Sequence, residues 1–184
     1  MDDRELLQRI RLGDEEAFAS LFRAHYAALV GAAESLLRER SQAEDIVQDV
    51  MLELWRRRDA LAIDDSFRAY LYRATRNRAL NMLRHDRVER RSEPLLGGDR
   101  TAPATAHAHL VEEEIDAAVR RTIAALPAPQ REVFELSRVH GLKYAEIAGV
   151  LGISVKTVEA RMGKALSALR EGLEPWMGGL KGKR

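Results

Sequence analysis

Apolar residues recur every three or four positions along almost the whole chain, the spacing of amphipathic helices rather than the alternation of strands. Leu6, Leu7 and Ile10 define a short first helix that stops near Gly13. After Asp14 a longer helix carries Phe18, Leu21, Phe22, Leu29, Val30, Ala33 and Leu37, with Gly31 as its weak point. Ser41-Gln42-Ala43-Glu44 has the spacing of a capping box and predicts a third helix to about Arg58. Its core stripe is Ile46, Val47, Val50, Met51 and Leu54. A fourth helix is expected from near Ser66 toward Arg90. β-branched residues are scattered and hairpin turn pairs are missing between apolar runs, so strand signals are almost absent.

The periodicity then fails. Residues 92–109, SEPLLGGDRTAPATAHAH, are rich in Pro, Gly and Ala without a periodic apolar face, the composition of a flexible linker. Helical spacing resumes with Ile115, Val119, Ile123 and Leu126, is expected to break at Pro127 and Pro129, and continues through Val133, Phe134 and Leu136. The predicted fold class is all-α: two small helical domains, residues 1–91 and 110–175, joined by the 92–109 linker and followed by a basic tail, 176–184. Eighteen flexible linker residues have an end-to-end distance of about 24 Å and a full reach of about 60 Å.

Residues 141–170, GLKYAEIAGVLGISVKTVEARMGKALSALR, form the most specific pattern. Gly141 can end one helix in the left-handed region. Tyr144, Ile147, Ala148 and Leu151 mark a short second helix, Gly152 and Ile153 a tight turn, and Ser154 an N-cap for a third. In that third helix Val158, Met162, Ala165, Leu166 and Leu169 fall on one side. Lys156, Thr157, Ala160, Gly163 and Lys164 fall on the other, with Glu159 and Arg161 at the edges. The placement is that of a helix-turn-helix, whose last helix presents charged donors and small residues to a DNA groove. An ordinary helical hairpin with a solvated face is the competing reading.

Composition narrows the chemistry. The 184 residues carry a formal charge of only +1, so affinity for nucleic acid must come from local patches. There is no cysteine, which removes disulfides, thiolate zinc sites and cysteine nucleophiles. The opening MDDRELLQRI lacks the apolar run of a signal peptide, and the expectation is a soluble intracellular protein.

Charge is unevenly divided in the first domain. On helix 41–58, Asp45, Gln48, Asp49 and Glu53 project away from the core stripe as an acidic, amide-bearing ridge. The next helix, FRAYLYRATRNRALNMLRHDRVERR, holds Arg68, Arg73, Arg76, Arg78, Arg84, Arg87, Arg90 and Arg91 against only Asp86 and Glu89. Phe67, Tyr70, Tyr72, Asn77 and Asn81 are interleaved with those arginines. Arginine pairs bidentately with phosphate, while aromatics and amides stack on and hydrogen-bond to exposed bases.

Acidic AEDIVQDVMLELW, basic RAYLYRATRNRALNMLR, a linker and then LPAPQREVFELSRVHGLKYAEIAGVLGISVKTVEARMGKALSALRE together resemble an extracytoplasmic-function sigma factor, from about Glu5 to Glu171. The segment GLKYAEIAGVLGISVKTVEA with KALSALRE is further similar to the branch of iron-citrate-type regulators. The resemblance implies that the first domain binds core RNA polymerase and melts the minus-ten promoter element, while the second binds the minus-thirty-five element as duplex.

It gives Asp45, Gln48 and Asp49 a place against the polymerase clamp, with Leu54 and Trp55 supporting or joining that contact. It sets Phe67, Arg73, Arg76, Asn77, Asn81, Arg84 and Arg87 toward minus-ten DNA, Asn77 as base reader and Arg84 as a basic partner. Toward the minus-thirty-five duplex it sets Tyr144, Ser154, Lys156, Thr157, Glu159, Ala160, Arg161 and Lys164. Loop 58–66 takes the place of a base-capturing loop, although Asp59, Asp64 and Asp65 do not suit it to gripping phosphate. Many relatives carry a basic residue at the position of Glu159; here a glutamate can accept from a cytosine amino group or orient Arg161. The expected partners are core RNA polymerase, promoter DNA and an anti-sigma factor, in the bacterial cytoplasm, with no cofactor, metal or small-molecule substrate and no insertion into the membrane.

A two-component-type transcription regulator carries a similar C-terminal motif, but its N-terminal half is a receiver domain built on parallel strands. An enzyme is the other class to weigh. The chain has no Gly-rich phosphate loop, HExxH pair or serine-triad context. His107 and His109 read as solvated linker residues, and His25, His85 and His140 as isolated structural ones.

Overall fold

Asp14 caps its helix as its position after Gly13 suggests: Oδ1 accepts from the backbone N–H of Glu16 and Ala17, both at 3.0 Å. The Ala17 N–H and the Arg9 guanidinium hold its carboxyl below the usual carboxylate range. The computed structural model describes residues 3–61, 63, 66–90 and 110–177. Among them there are eight α-helices and no strand: α1 Asp3–Arg11, α2 Glu15–Leu37, α3 Arg40–Arg56, α4 Phe67–Arg90, α5 Leu110–Ala125, α6 Ala128–Arg138, α7 Tyr144–Leu151 and α8 Val155–Met177. A 3-10 turn, Arg58–Ala60, follows α3. The expected linker 92–109 and most of the basic tail lie outside the described residues.

The first half is α2, α3 and α4 packed on one another, with α1 laid across α2 and α4. Leu6, Leu7, Ile10, Leu21, Leu29, Val30, Ile46, Val47, Met51, Leu54 and Leu71 fill its centre. In the second half α5, α6 and α7 each pack on α8, around Val133, Ile147, Val158 and Met162. The halves also meet one another. α4 lies along α7, and one continuous apolar cluster runs through both.

Several local expectations change. Ser41 is not the N-cap of α3, and no capping box forms. The helix begins at Arg40 after Glu39, and Ser41 Oγ instead lies 2.6 Å from Glu39 Oε1 while Arg40 pairs with Glu44. Starting two residues early places Ser41 inside the first turn, where its hydroxyl cannot reach the orphan donor a cap serves. Pro129 does not break a helix but sits in the first turn of α6, where its missing N–H costs nothing. Gly31 does not interrupt α2. Gly13, Gly141 and Gly152 all have positive φ, 82°, 66° and 65°, and end their helices as expected.

Candidate polymerase and nucleic-acid interfaces

On α3 the core residues and the ridge are diametrically opposed. At about 100° per residue, Asp45, Gln48 and Asp49 fall within one narrow stripe, and all three are exposed. Sequence reasoning missed Leu52, which lies in the same stripe one turn on and is 44% exposed. Its signal was the i, i+4 spacing from Gln48. Leu54 is fully buried and supports the helix from behind, a correction to its expected share in the contact. Trp55 is half-buried, its ring 5.0 Å from Phe18, with the Arg58 guanidinium over its face at 4.7 Å. Asp49 also reaches the next helix, 3.6 Å from Arg78.

On α4 the sequence candidates separate. Arg73, Asn77, Asn81, Arg84 and Arg87 share one exposed face. Asn81 Oδ1 accepts from Arg84 Nη1 at 3.0 Å, which aims the guanidinium along that face. Phe67 is not on it: at 3% exposure it belongs to the core, because the first turn of α4 rolls that side inward. Tyr72 is likewise buried, and Tyr70 half-buried against Phe67 with ring centres 6.4 Å apart. Arg76 sits at the margin of the exposed face and turns toward the second half, where its Nε and Nη2 reach Glu132 Oε1 and Oε2 at 2.6 and 3.3 Å. In loop 58–66, Asp59 is exposed, and Asp64 and Asp65 lie outside the described residues.

The helix-turn-helix forms as its spacing predicts. Ser154 Oγ accepts from the Thr157 N–H at 3.1 Å and shares a second bond with the Thr157 hydroxyl at 2.8 Å. Thr157 is therefore tied to the cap and less free than its neighbours. Glu146 accepts from the Lys143 N–H at 2.7 Å and fixes the start of α7. Val158, Met162, Ala165 and Leu169 are buried, while Lys156, Glu159, Ala160, Gly163 and Lys164 are exposed and Arg161 partly so. Leu166, expected inside, is 40% exposed. It lies roughly 70° from the centre of the buried side, beyond the reach of α6 and α7. On α7 it is Val150 that is buried, Leu151 only partly, and Tyr144 is half-buried against the core cluster.

Where the halves meet, the groups are polar and titratable. His140 is 8% exposed, its ring tilted 5.3 Å from that of Tyr72, and its carbonyl accepts from the Arg68 guanidinium. Burial, and then Arg68, hold the imidazole below its ordinary pKa. Burial raises Glu135 above the usual carboxylate range against the pull of Arg131, and raises Tyr72 against that of Arg68. A cavity of about 80 Å³ opens between these groups, lined also by Ala32, Leu36, Leu136 and Val150.

Residues 21–88 match the family model of sigma-70 region 2, and residues 116–169 that of sigma-70 region 4. The chain is 33% identical over 178 residues to the RNA polymerase sigma factor CnrH of Cupriavidus metallidurans, covering 91% of this chain and 92% of that one. It is 34% identical over 162 residues to the ECF RNA polymerase sigma factor RpoE of Cereibacter sphaeroides, covering 86% and 87%. Among solved structures, CnrH in complex with the cytosolic domain of CnrY superimposes with a TM-score of 0.66 at 31% identity, over 94% of this chain and 97% of that one.

Proposed function

Since the chain belongs to the extracytoplasmic-function group of the sigma-70 family, we propose that its helical halves share one task, choosing where RNA polymerase starts. It is an alternative sigma factor, binding core polymerase and directing it to particular promoters. Residues 1–91 serve as region 2 and 110–175 as region 4, with 92–109 between them. Asp45, Gln48, Asp49 and Leu52 form the surface that meets the clamp: three polar groups around one exposed aliphatic side chain. Arg73, Asn77, Asn81, Arg84 and Arg87 grip the melted minus-ten strand, Asn77 reading a base and the arginines holding phosphate. On α8, Lys156, Glu159, Ala160, Arg161 and Lys164 enter the minus-thirty-five groove, while Ser154 and Thr157 set its angle and Tyr144 braces α7.

The observation that carries this reading is one chain with both surfaces in order. An acidic ridge is packed beside an arginine-rich helix, and a capped helix-turn-helix with an open, small-residue face follows. The first half lacks strands among its described residues, which removes the receiver-domain alternative. The protein supplies promoter choice to a polymerase and no catalytic group of its own. It acts in the bacterial cytoplasm, restrained by an anti-sigma protein; the complex of CnrH with the cytosolic domain of CnrY supports a protein partner of that kind. Run-off transcription on genomic DNA with core polymerase tests the reading. The expected outcome is a set of new start sites sharing two sequence elements; start sites identical to those of core alone would refute it.

A further inference from the structure

Glu159 lies at one edge of the open side of α8, and its exposed carboxylate has no hydrogen-bond or ion-pair partner among the described residues. Glu44 and Glu53, on α3, are each paired with an arginine four residues away. Arg161 does not serve Glu159 in that way. At about 100° per residue it falls some 200° round the helix, and residues two apart do not face each other.

One turn on, Gly163 is equally unexplained by the fold. Glycine inside a helix lowers its stability relative to alanine, a cost offset only where something must come close. Gly172 of the same helix has such a neighbour in Thr122, 2.6 Å from where a Cβ would stand. A Cβ at Gly163 would meet nothing within 4 Å among the described residues. Whatever needs that space lies outside the chain. With Ala160, also exposed, Gly163 leaves a shallow notch on α8 flanked by Lys156 and Lys164.

We infer that Glu159 and Gly163 act together as the specificity element of α8: the notch lets the helix seat deep in the major groove, and the Glu159 carboxylate then accepts from the amino group of a cytosine. The inference rests on the region-4 assignment above and names one base that it reads.

Depth decides what Glu159 meets. A helix held shallow sets an edge carboxylate against the sugar-phosphate backbone, where like charges repel. A helix seated deep carries it past the phosphates to the base edges. There cytosine alone shows an amino donor with no acceptor beside it. Adenine sets N7 next to its amino group, guanine offers N7 and O6, and thymine O4 and a methyl group. An ionised carboxylate only accepts. Any other base at that point sets lone pair against lone pair or leaves the carboxylate unpaired. Lys156 and Lys164 supply the attraction to phosphate that offsets the charge Glu159 brings.

The test uses holoenzyme, the full chain with core polymerase, on a promoter mapped by run-off transcription and randomised through its minus-thirty-five element. Templates that yield transcript are sequenced. With the wild-type chain, cytosine should be enriched at one position. Glu159→Ala should reduce that enrichment roughly five- to a hundredfold and leave the other positions as they were. Glu159→Gln, whose amide both donates and accepts, should shift the same position toward adenine. Gly163→Leu places a good helix former in open space, so the melting temperature should not fall, yet transcription from every selected template should drop about tenfold or more. Enrichment that Glu159→Ala leaves unchanged, or full transcription with Gly163→Leu, overturns the inference and leaves the sigma-factor reading standing. No enrichment at any randomised position overturns the region-4 assignment along with it.

Discussion

Asp49 Oδ2 on α3 lies 3.6 Å from Arg78 Nη2 on α4, so the acidic ridge and the arginine-rich helix touch at an exposed ion pair. With the two side chains 63% and 42% exposed, the pair contributes about 0–1 kcal/mol to stability. The ridge is therefore free to be read as a binding surface rather than a structural one.

Replacing Asp45 and Asp49 together by arginine should abolish binding to core polymerase while leaving the fold intact, since both side chains point to solvent. Co-purification with core enzyme and a thermal melt measure the two effects separately. Unchanged co-purification would remove the ridge from the clamp contact. Leu52→Ala should weaken the same complex by about 1–2 kcal/mol if Leu52 is its apolar anchor.

On α4, Asn77→Ala should change preference at one minus-ten position by roughly 1–3 kcal/mol, and Arg84→Ala should weaken all sequences alike with the salt slope reduced by about one unit. Asn81→Ala should share part of the Arg84 effect, because Asn81 Oδ1 aims that guanidinium. Oligonucleotide binding across a sequence panel at several salt concentrations distinguishes them. Equal loss on every template for Asn77→Ala would make that residue structural.

Ala160→Trp adds bulk on the open side of α8 while Val158 and Met162, fully buried, hold the other. Thermal stability should be unchanged and binding to minus-thirty-five duplex lost. A large drop in stability would mean that Ala160 packs inside.

Two glycines of α8 should respond oppositely to alanine. Gly163 has open space where a Cβ would go, so Gly163→Ala should stabilise by roughly 0.5–1 kcal/mol through helix propensity. At Gly172 a Cβ would fall 2.6 Å from Thr122 Cγ2 and 2.7 Å from its Oγ1, so α8 would have to part from α5. Gly172→Ala should cost about 1–3 kcal/mol, and Thr122→Ala should recover most of it. Denaturant titration reads both.

His140 makes the contact of the halves pH-dependent. Its folded pKa lies below the ordinary 6.5, so its contribution is fully present above that value and is lost as pH falls through it toward the folded pKa. Glu135 acts in the opposite sense. Its folded pKa lies above 4.5, so its contribution is present at low pH and lost as pH rises through the folded value. Arg68 and Tyr72 face His140 from α4 and Glu135 lines the same cavity, so isolating the histidine requires a difference between variants. From about pH 7.5 to 5.5, the melting temperature of wild type should fall more than that of His140→Gln. Parallel curves would mean that His140 does not titrate differently on folding.

Helix existence, the helix-turn-helix and the opposed faces of α3 and α8 were determined by the sequence alone, because they depend on interactions within a few residues. Ser154 reaches Thr157, Asp14 reaches Ala17, and 3.6-residue periodicity sorts Val158 from Ala160 without reference to the rest of the chain. Local spacing leaves the outcome open where two local options compete, as at Ser41, or where a residue sits at the edge of a face, as at Leu166. What tertiary structure alone decided is which faces find each other. Arg76 and Glu132 are 56 residues apart, Arg68 and His140 72, and no spacing rule connects them. Phe67 is aromatic and flanked by arginine, the pattern of a base-stacking residue, yet α2 and α3 provide a core that removes it from solvent. Gly172 reads as a helix defect until α5 passes close enough to need it. Burial at such positions depends on the path of the chain in three dimensions, and that path is set by the sum of all the packed faces rather than by any one of them.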